Sequence, residues 1–140
     1  MLINEYQSLY LTELKDLIHK VKIFGFHFAT LDIRQDSRIH NTVFEQVIAL
    51  HNSKKPGSFP MNFADLKPEE QIEILAGFDK KLNPDDFDDE LVLKTLGSMQ
   101  AIKKIQKWNG EKGANRYIIS NNQSAVNVMQ VYSMLKQVAF

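Results

Sequence analysis

Apolar residues recur at helical spacing near the start of the chain, at Tyr6, Tyr10, Leu14, Leu17, Val21 and Phe24. This spacing predicts an amphipathic helix over 4–24. After Gly25 the period falls to 2, which predicts a strand over 26–34. Its faces differ: His27, Ala29, Leu31 and Ile33 share one side, and Phe26, Phe28, Thr30, Asp32 and Arg34 the other, which turns polar toward the strand's end. A helix over 39–52 follows, with Val43, Val47 and Leu50 as its inner stripe and Ser37 as its N-cap. Pro56, Gly57 and Pro60 make 53–67 a loop. Pro68 suits the first turn of a short helix over 68–76 that carries Ile72, Ile74 and Leu75 and that Gly77 closes. A long helix over 88–108 runs through Val92, Leu96, Met99, Ile102 and Ile105. A second strand is expected over 115–120, then a helix over 124–138 that is apolar on nearly every side.

The resulting fold class is mainly α with two short strands, each followed by a helix, an order that predicts parallel pairing through right-handed crossovers. Two short strands leave unpaired N–H and C=O groups along both outer edges. A helix apolar all round expects burial on more than one side. Both features lead us to expect a single partial domain, 1–140, cut from a larger architecture.

Composition narrows the chemistry. The 140 residues suffice for one apolar core without a staple. No cysteine is present, which excludes disulfides, zinc–thiolate sites and thiol nucleophiles and agrees with a reducing, cytoplasmic setting. Lys plus Arg equals Asp plus Glu at 17 each, so no overall positive field draws the chain to nucleic acid. No stretch nears the roughly 18 consecutive apolar residues of a membrane span, and the first residues lack the pattern of a signal peptide.

Other candidate sites yield to plainer readings. His19, His27, His40 and His51 show no spacing that brings two imidazoles to one metal. On one helix, His40 and His51 stand roughly 16 Å apart, from about 1.5 Å per residue. The acidic run Asp85 to Glu90 lacks the alternation and central Gly of a calcium loop and reads as helix capping by Asp88 or Asp89. Gly110 to Gly113 precedes a strand and lacks the phosphate-loop pattern, so it is a turn. Trp108 and the phenylalanines are expected in the core.

Leu31-Asp32-Ile33-Arg34-Gln35-Asp36-Ser37 with His40 resembles the LDIRQES…H signature of phosphoenolpyruvate carboxylases. Phe24-Gly25-Phe26 resembles the FGL-type start of that family's strand, and Tyr117-Ile118-Ile119-Ser120 its YVISM segment. Ile39 stands where the family has Arg, with Arg38 one position earlier, which marks a divergent branch. The resemblance covers most of this chain and a fraction of a family member.

It implies a fragment of a (β/α)8 barrel with extra helices, from an enzyme that joins phosphoenolpyruvate to bicarbonate, giving oxaloacetate and phosphate with magnesium or manganese. It also implies that Arg34 lines the substrate site, with Asp32, Gln35 and His40 in support, and that no metal is held here. The strand reading puts Arg34 at a C-terminal end, where barrel enzymes carry their chemistry. A guanidinium forks onto phosphate or carboxylate oxygens through two parallel hydrogen bonds. From periodicity alone, a structural Asp32–Arg34 ion pair stands beside this role. The metal-binding carboxylates, catalytic histidine, further arginines and glycine-rich tail of the family belong to segments outside the matched region. The isolated chain is therefore expected to be inactive and to self-associate. The alternative is a non-catalytic helical interaction module derived from the same scaffold.

Overall fold

Local capping decides where the helices begin. In a computed structural model, which describes residues 6–25 and 30–140, the Asp36 carboxylate accepts from Arg38 N–H at 2.9 Å, and helix α2 spans Ser37–Lys54. Ser37 is the first helical residue and not the cap, because the shorter-reaching role falls to the carboxylate one place earlier. Helix α4, Glu90–Asn109, is capped by Asp89, whose carboxylate accepts from Leu91 and Val92 N–H, and ends at Gly110 with φ 80°. Helix α3, Pro68–Gly77, opens with Pro at its first position and a Glu70 carboxylate that accepts from Lys67 N–H. Ser124 caps α5, Ala125–Ala139.

Helix α1 spans Leu11–Phe24, shorter than the periodic stretch, because Gln7, Ser8 and Tyr10 have positive φ and cannot continue a right-handed helix. None of its residues is buried. The first strand, β1, is Asp32–Asp36, displaced from the expected 26–34; residues 26–29 lie outside the described set, and His27 with them. The displacement follows from pairing, since β1 lies parallel to β2, Arg116–Ser120, and the register carries Gln35↔Ile119 and Asp36↔Ser120 beyond Arg34. Asp36 thus ends the strand and caps α2, with no loop between them.

The structure is mainly helical with two short parallel strands. Helix α5 packs against α2, α3 and α4, and the core gathers Val43, Phe44 and Val47, Leu75, Leu96 and Met99, and Met134. Phe59 and Phe63 join it from the stretch expected to be a loop. Phe59 is fully buried, edge-on to Phe44 and Phe63 and 4.3 Å from the Phe78 centroid.

One expectation about burial is corrected. Trp108 is 70% exposed, with the Lys104 ammonium 4.9 Å above its ring, since it lies in the last turn of α4, past the core. Helix α5 is buried on more than one side, as expected, against α2, α3 and α4; Val128 and Tyr132 are exposed, while polar Asn127, Ser133 and Gln137 face inward. Their inward position is satisfied by hydrogen bonds, Asn127 to Asn41 and Gln137 to Ser133 and His51.

Candidate functional site

The parallel register sorts the sheet into two faces. Ile33, Gln35, Tyr117 and Ile119 alternate with Asp32, Arg34, Asp36, Arg116, Ile118 and Ser120. Tyr117 and Ile119 pack on the core, so the second set forms the outer face. Arg34 is exposed at the middle of β1, two residues short of the strand end where the sequence puts it.

The carboxylates beside Arg34 are both engaged by other arginines. Asp32 meets Arg116 Nε across the sheet at 3.3 Å, and the expected Asp32–Arg34 pair does not form. The cause is the register, which sets Asp32 directly opposite Arg116 on one face. Asp36 accepts from Arg38 Nε and Nη2, each at 3.0 Å, and from the Asn121 amide at 2.7 Å. Those bonds, Arg38 first, hold the Asp36 carboxyl well below its ordinary range, so it stays ionised and occupied. Among the described residues nothing bonds or pairs with the Arg34 guanidinium.

Behind this face, hydrogen bonds lock the strand ends together. Gln35 Oε1 accepts from Asp36 N–H at 2.9 Å, and its carbonyl accepts from Ser120 Oγ at 3.3 Å. Ser37 Oγ donates to the Asn121 carbonyl at 2.6 Å. Asn121 reaches both partners because it takes φ 53°, a conformation asparagine tolerates better than most residues. His40, expected beside a loop after Arg34, is instead fully buried in the first turns of α2, its Nε2 2.9 Å from the Tyr117 hydroxyl. Burial pushes that phenol up to about 12.

Arg38, Arg116, Asn121 and Tyr117 are the members of this assembly that sequence reasoning missed. Asp36 followed by Arg38 is a capping pattern, and an Asn just past a strand is a turn signal, so both were visible in principle. The cross-strand partners depended on register. A groove of about 570 Å³ lies elsewhere, lined by Phe44, Ile48, Met61, Phe63 and Val126 among others, and Arg34 is not part of it.

Two buried imidazoles give the fold a pH dependence of definite sign. His40 and His51 both lie below the ordinary 6.5, chiefly because burial disfavours the charged ring. As pH falls through 6.5 the unfolded chain takes up these protons first, so stability declines with acidification down to the folded values. Asp36 and Asp89 are held below 3.8, so their contribution is lost only as pH falls through that value and does not overlap. The urea midpoint is expected to be lower near pH 5.5 than near pH 7.5. An unchanged or higher midpoint at the acid end would contradict burial of neutral rings.

Among the described residues, no three His, Asp or Glu side chains are grouped to hold a metal ion. The described residues therefore do not fit a divalent-metal centre.

A family model described as phosphoenolpyruvate carboxylase matches residues 2–140. Among curated proteins, the phosphoenolpyruvate carboxylase of Nitrosomonas eutropha (strain DSM 101675 / C91 / Nm57) is 28% identical over 142 residues, covering 96% of this chain. The chain spans 15% of that relative's length. No solved structure matches.

Proposed function

Because the chain belongs to the phosphoenolpyruvate carboxylase family, we propose that it is a substrate-facing segment of such an enzyme, part of a (β/α)8 barrel, in which Arg34 receives an anionic group of phosphoenolpyruvate. The observation that supports this reading is the unclaimed guanidinium: both neighbouring carboxylates on its face are bound by Arg116 and Arg38. A cation left free between satisfied acids is available to a phosphate or carboxylate, which it engages through two parallel hydrogen bonds. Asp32, Gln35 and His40 act indirectly, the first by occupying Arg116, the others by fixing the strand behind Arg34.

The segment is not catalytically complete alone. Carboxylating an enolate with bicarbonate requires several positive charges on the developing negative ones, and one exposed arginine does not supply them. Magnesium or manganese, with bicarbonate, belongs to the parent enzyme's other segments in this reading. The cytoplasm is the proposed location on the strength of the family. No helix among the described residues is long and apolar enough to cross a membrane.

The test is direct. The 140-residue chain, given phosphoenolpyruvate, bicarbonate and magnesium, is expected to form no oxaloacetate. Titration with phosphoenolpyruvate alone is expected to show millimolar binding, about 4 kcal/mol, that disappears in Arg34→Ala. Turnover by the chain would sink the claim of incompleteness, and equal binding by Arg34→Ala would sink the assignment of the anion site.

One observation favours the second reading, an interaction module: α1 contributes no buried residue to the body it is attached to.

A further inference from the structure

Asp36 and Arg34 share the outer face of β1, two residues and about 6.6 Å apart along the strand. An arginine side chain is long enough to cover that distance, so Asp36 competes with any anion for the guanidinium. The pair does not form, because the bonding of Asp36 is already complete. Its Oδ1 accepts from Arg38 N–H at 2.9 Å and from Arg38 Nε at 3.0 Å. Its Oδ2 accepts from Arg38 Nη2 at 3.0 Å and from the Asn121 amide at 2.7 Å. An ionised carboxylate offers about four acceptor positions, and four donors fill them.

Those donors are not equivalent. Three belong to Arg38, whose side chain is 79% exposed and open to competing water. The fourth and shortest comes from the end of the neighbouring strand, on a residue anchored by its own backbone. Asn121 takes φ 53° just past β2, and its carbonyl accepts from the buried Ser37 Oγ at 2.6 Å. Side chain and backbone of one residue thus grip two consecutive residues at the β1–α2 junction.

The sequence carries a related signal. The family signature has Glu where Asp36 stands and Met where Asn121 stands. Glutamate is not among the residues that cap a helix N-terminus well, and a thioether has no hydrogen to donate. Neither signature residue forms this contact, so two replacements 85 positions apart meet in one bond.

We propose that Asn121 is a positioning residue for anion binding: it completes the bonding of Asp36 and keeps that carboxylate from pairing with Arg34, leaving the guanidinium open to the phosphate or carboxylate of phosphoenolpyruvate. This role rests on Arg34 being the anion site, and Asn121 acts through Asp36, not by contact with the anion. Arg116 serves Asp32 in the same way on the other side of Arg34.

Two measurements on the 140-residue chain test this. In the first, without anion, hydrogen exchange of the Arg34 Nε–H is followed by NMR. Asn121→Gly keeps the positive φ without strain and removes the amide. Exchange should then slow about threefold as Asp36 engages Arg34, the scale of an exposed ion pair. In an Asp36→Asn background, where asparagine still caps the helix but carries no charge, the same Asn121→Gly change should have no effect. A merely loosened turn would act in both backgrounds. In the second, phosphoenolpyruvate is titrated, and its affinity should fall about threefold in Asn121→Gly and be indifferent to that change in the Asp36→Asn background. Arg38→Ala, at an exposed helical position, opens two further acceptor positions on Asp36 and should move both readings the same way, whether or not the glycine variant folds. Arg34 exchange unaltered in Arg38→Ala or in folded Asn121→Gly overturns the proposal, as does an Asn121→Gly effect that persists with Asp36→Asn. The expected exchange pattern in a chain that binds no phosphoenolpyruvate upholds the effect of Asn121 on Arg34 and removes the anion reading instead.

Discussion

Phe59→Ala is expected to destabilise the folded chain by about 3–5 kcal/mol, measured as a fall in the urea midpoint at constant m-value. The side chain is fully buried at the meeting point of three other phenylalanines and His51. Truncation removes edge-on and tilted ring contacts together and opens a cavity walled by rigid rings, which have little freedom to collapse into it. The backbone contributes as well, since Phe59 N–H donates to Asn52 Oδ1 at 2.9 Å and so anchors the loop to the end of α2. Phe59→Leu keeps most of the volume and should cost about 1 kcal/mol. A loss below about 1 kcal/mol for Phe59→Ala would mean that the aromatic cluster is not the keystone of the core.

In a full-length carboxylase that contains this segment, Arg34→Ala is expected to lower kcat/KM by roughly 100-fold or more, the scale of losing a charged hydrogen-bonded contact worth about 2–5 kcal/mol. Thermal stability should hold, because the side chain is exposed and unpaired among the described residues. Arg34→Lys should recover only part of the loss: an ammonium restores the charge but not the planar fork. Unchanged kinetics in Arg34→Ala would remove the proposed role, whereas a loss of activity matched by unfolding would show a structural one.

Legibility from sequence tracked the range of the physics involved. Helices α3 and α4 were readable because Pro68, Asp89 and Gly110 act within one turn of themselves. Parallel pairing of two short strands followed from element order, a topological rule that needs no long-range coordinates. Phe59 and Phe63 were not readable as core residues, because a loop has no period and their burial is set by α2 on one side and Phe78 on the other. The exposed Trp108 is the opposite case: the stripe of α4 continues past the last residue that can cover it.

The same division holds at the site. Arg34 stands out in the sequence by its motif and by the polar face of its strand, both local properties. Its freedom from Asp32 depended on Arg116, which lies 82 positions from Arg34 in the sequence and meets Asp32 only through the register (116 − 34). His40 was singled out, but its partner Tyr117 was seen only as part of a strand pattern. The buried link between His51 and Gln137 was similarly hidden, since neither residue looks apolar.

The seamless passage from β1 to α2 turns the helix into a lever whose short arm carries the guanidinium. Asp36 belongs to both elements, so no hinge lets Arg34 relax on its own. Helix α2 has 18 residues, a length of about 27 Å, and its far end is moored to α5 by His51 and Gln137. The mooring lies about 21 Å from the first residue of the helix, so a tilt of about 3° about it moves the near end by about 1.1 Å, comparable with the misplacement that costs an enzyme two orders of magnitude in rate. On the proposed reading of Arg34, the alignment of its strand tip depends on the opposite end of the rod, at a contact between a histidine and a glutamine.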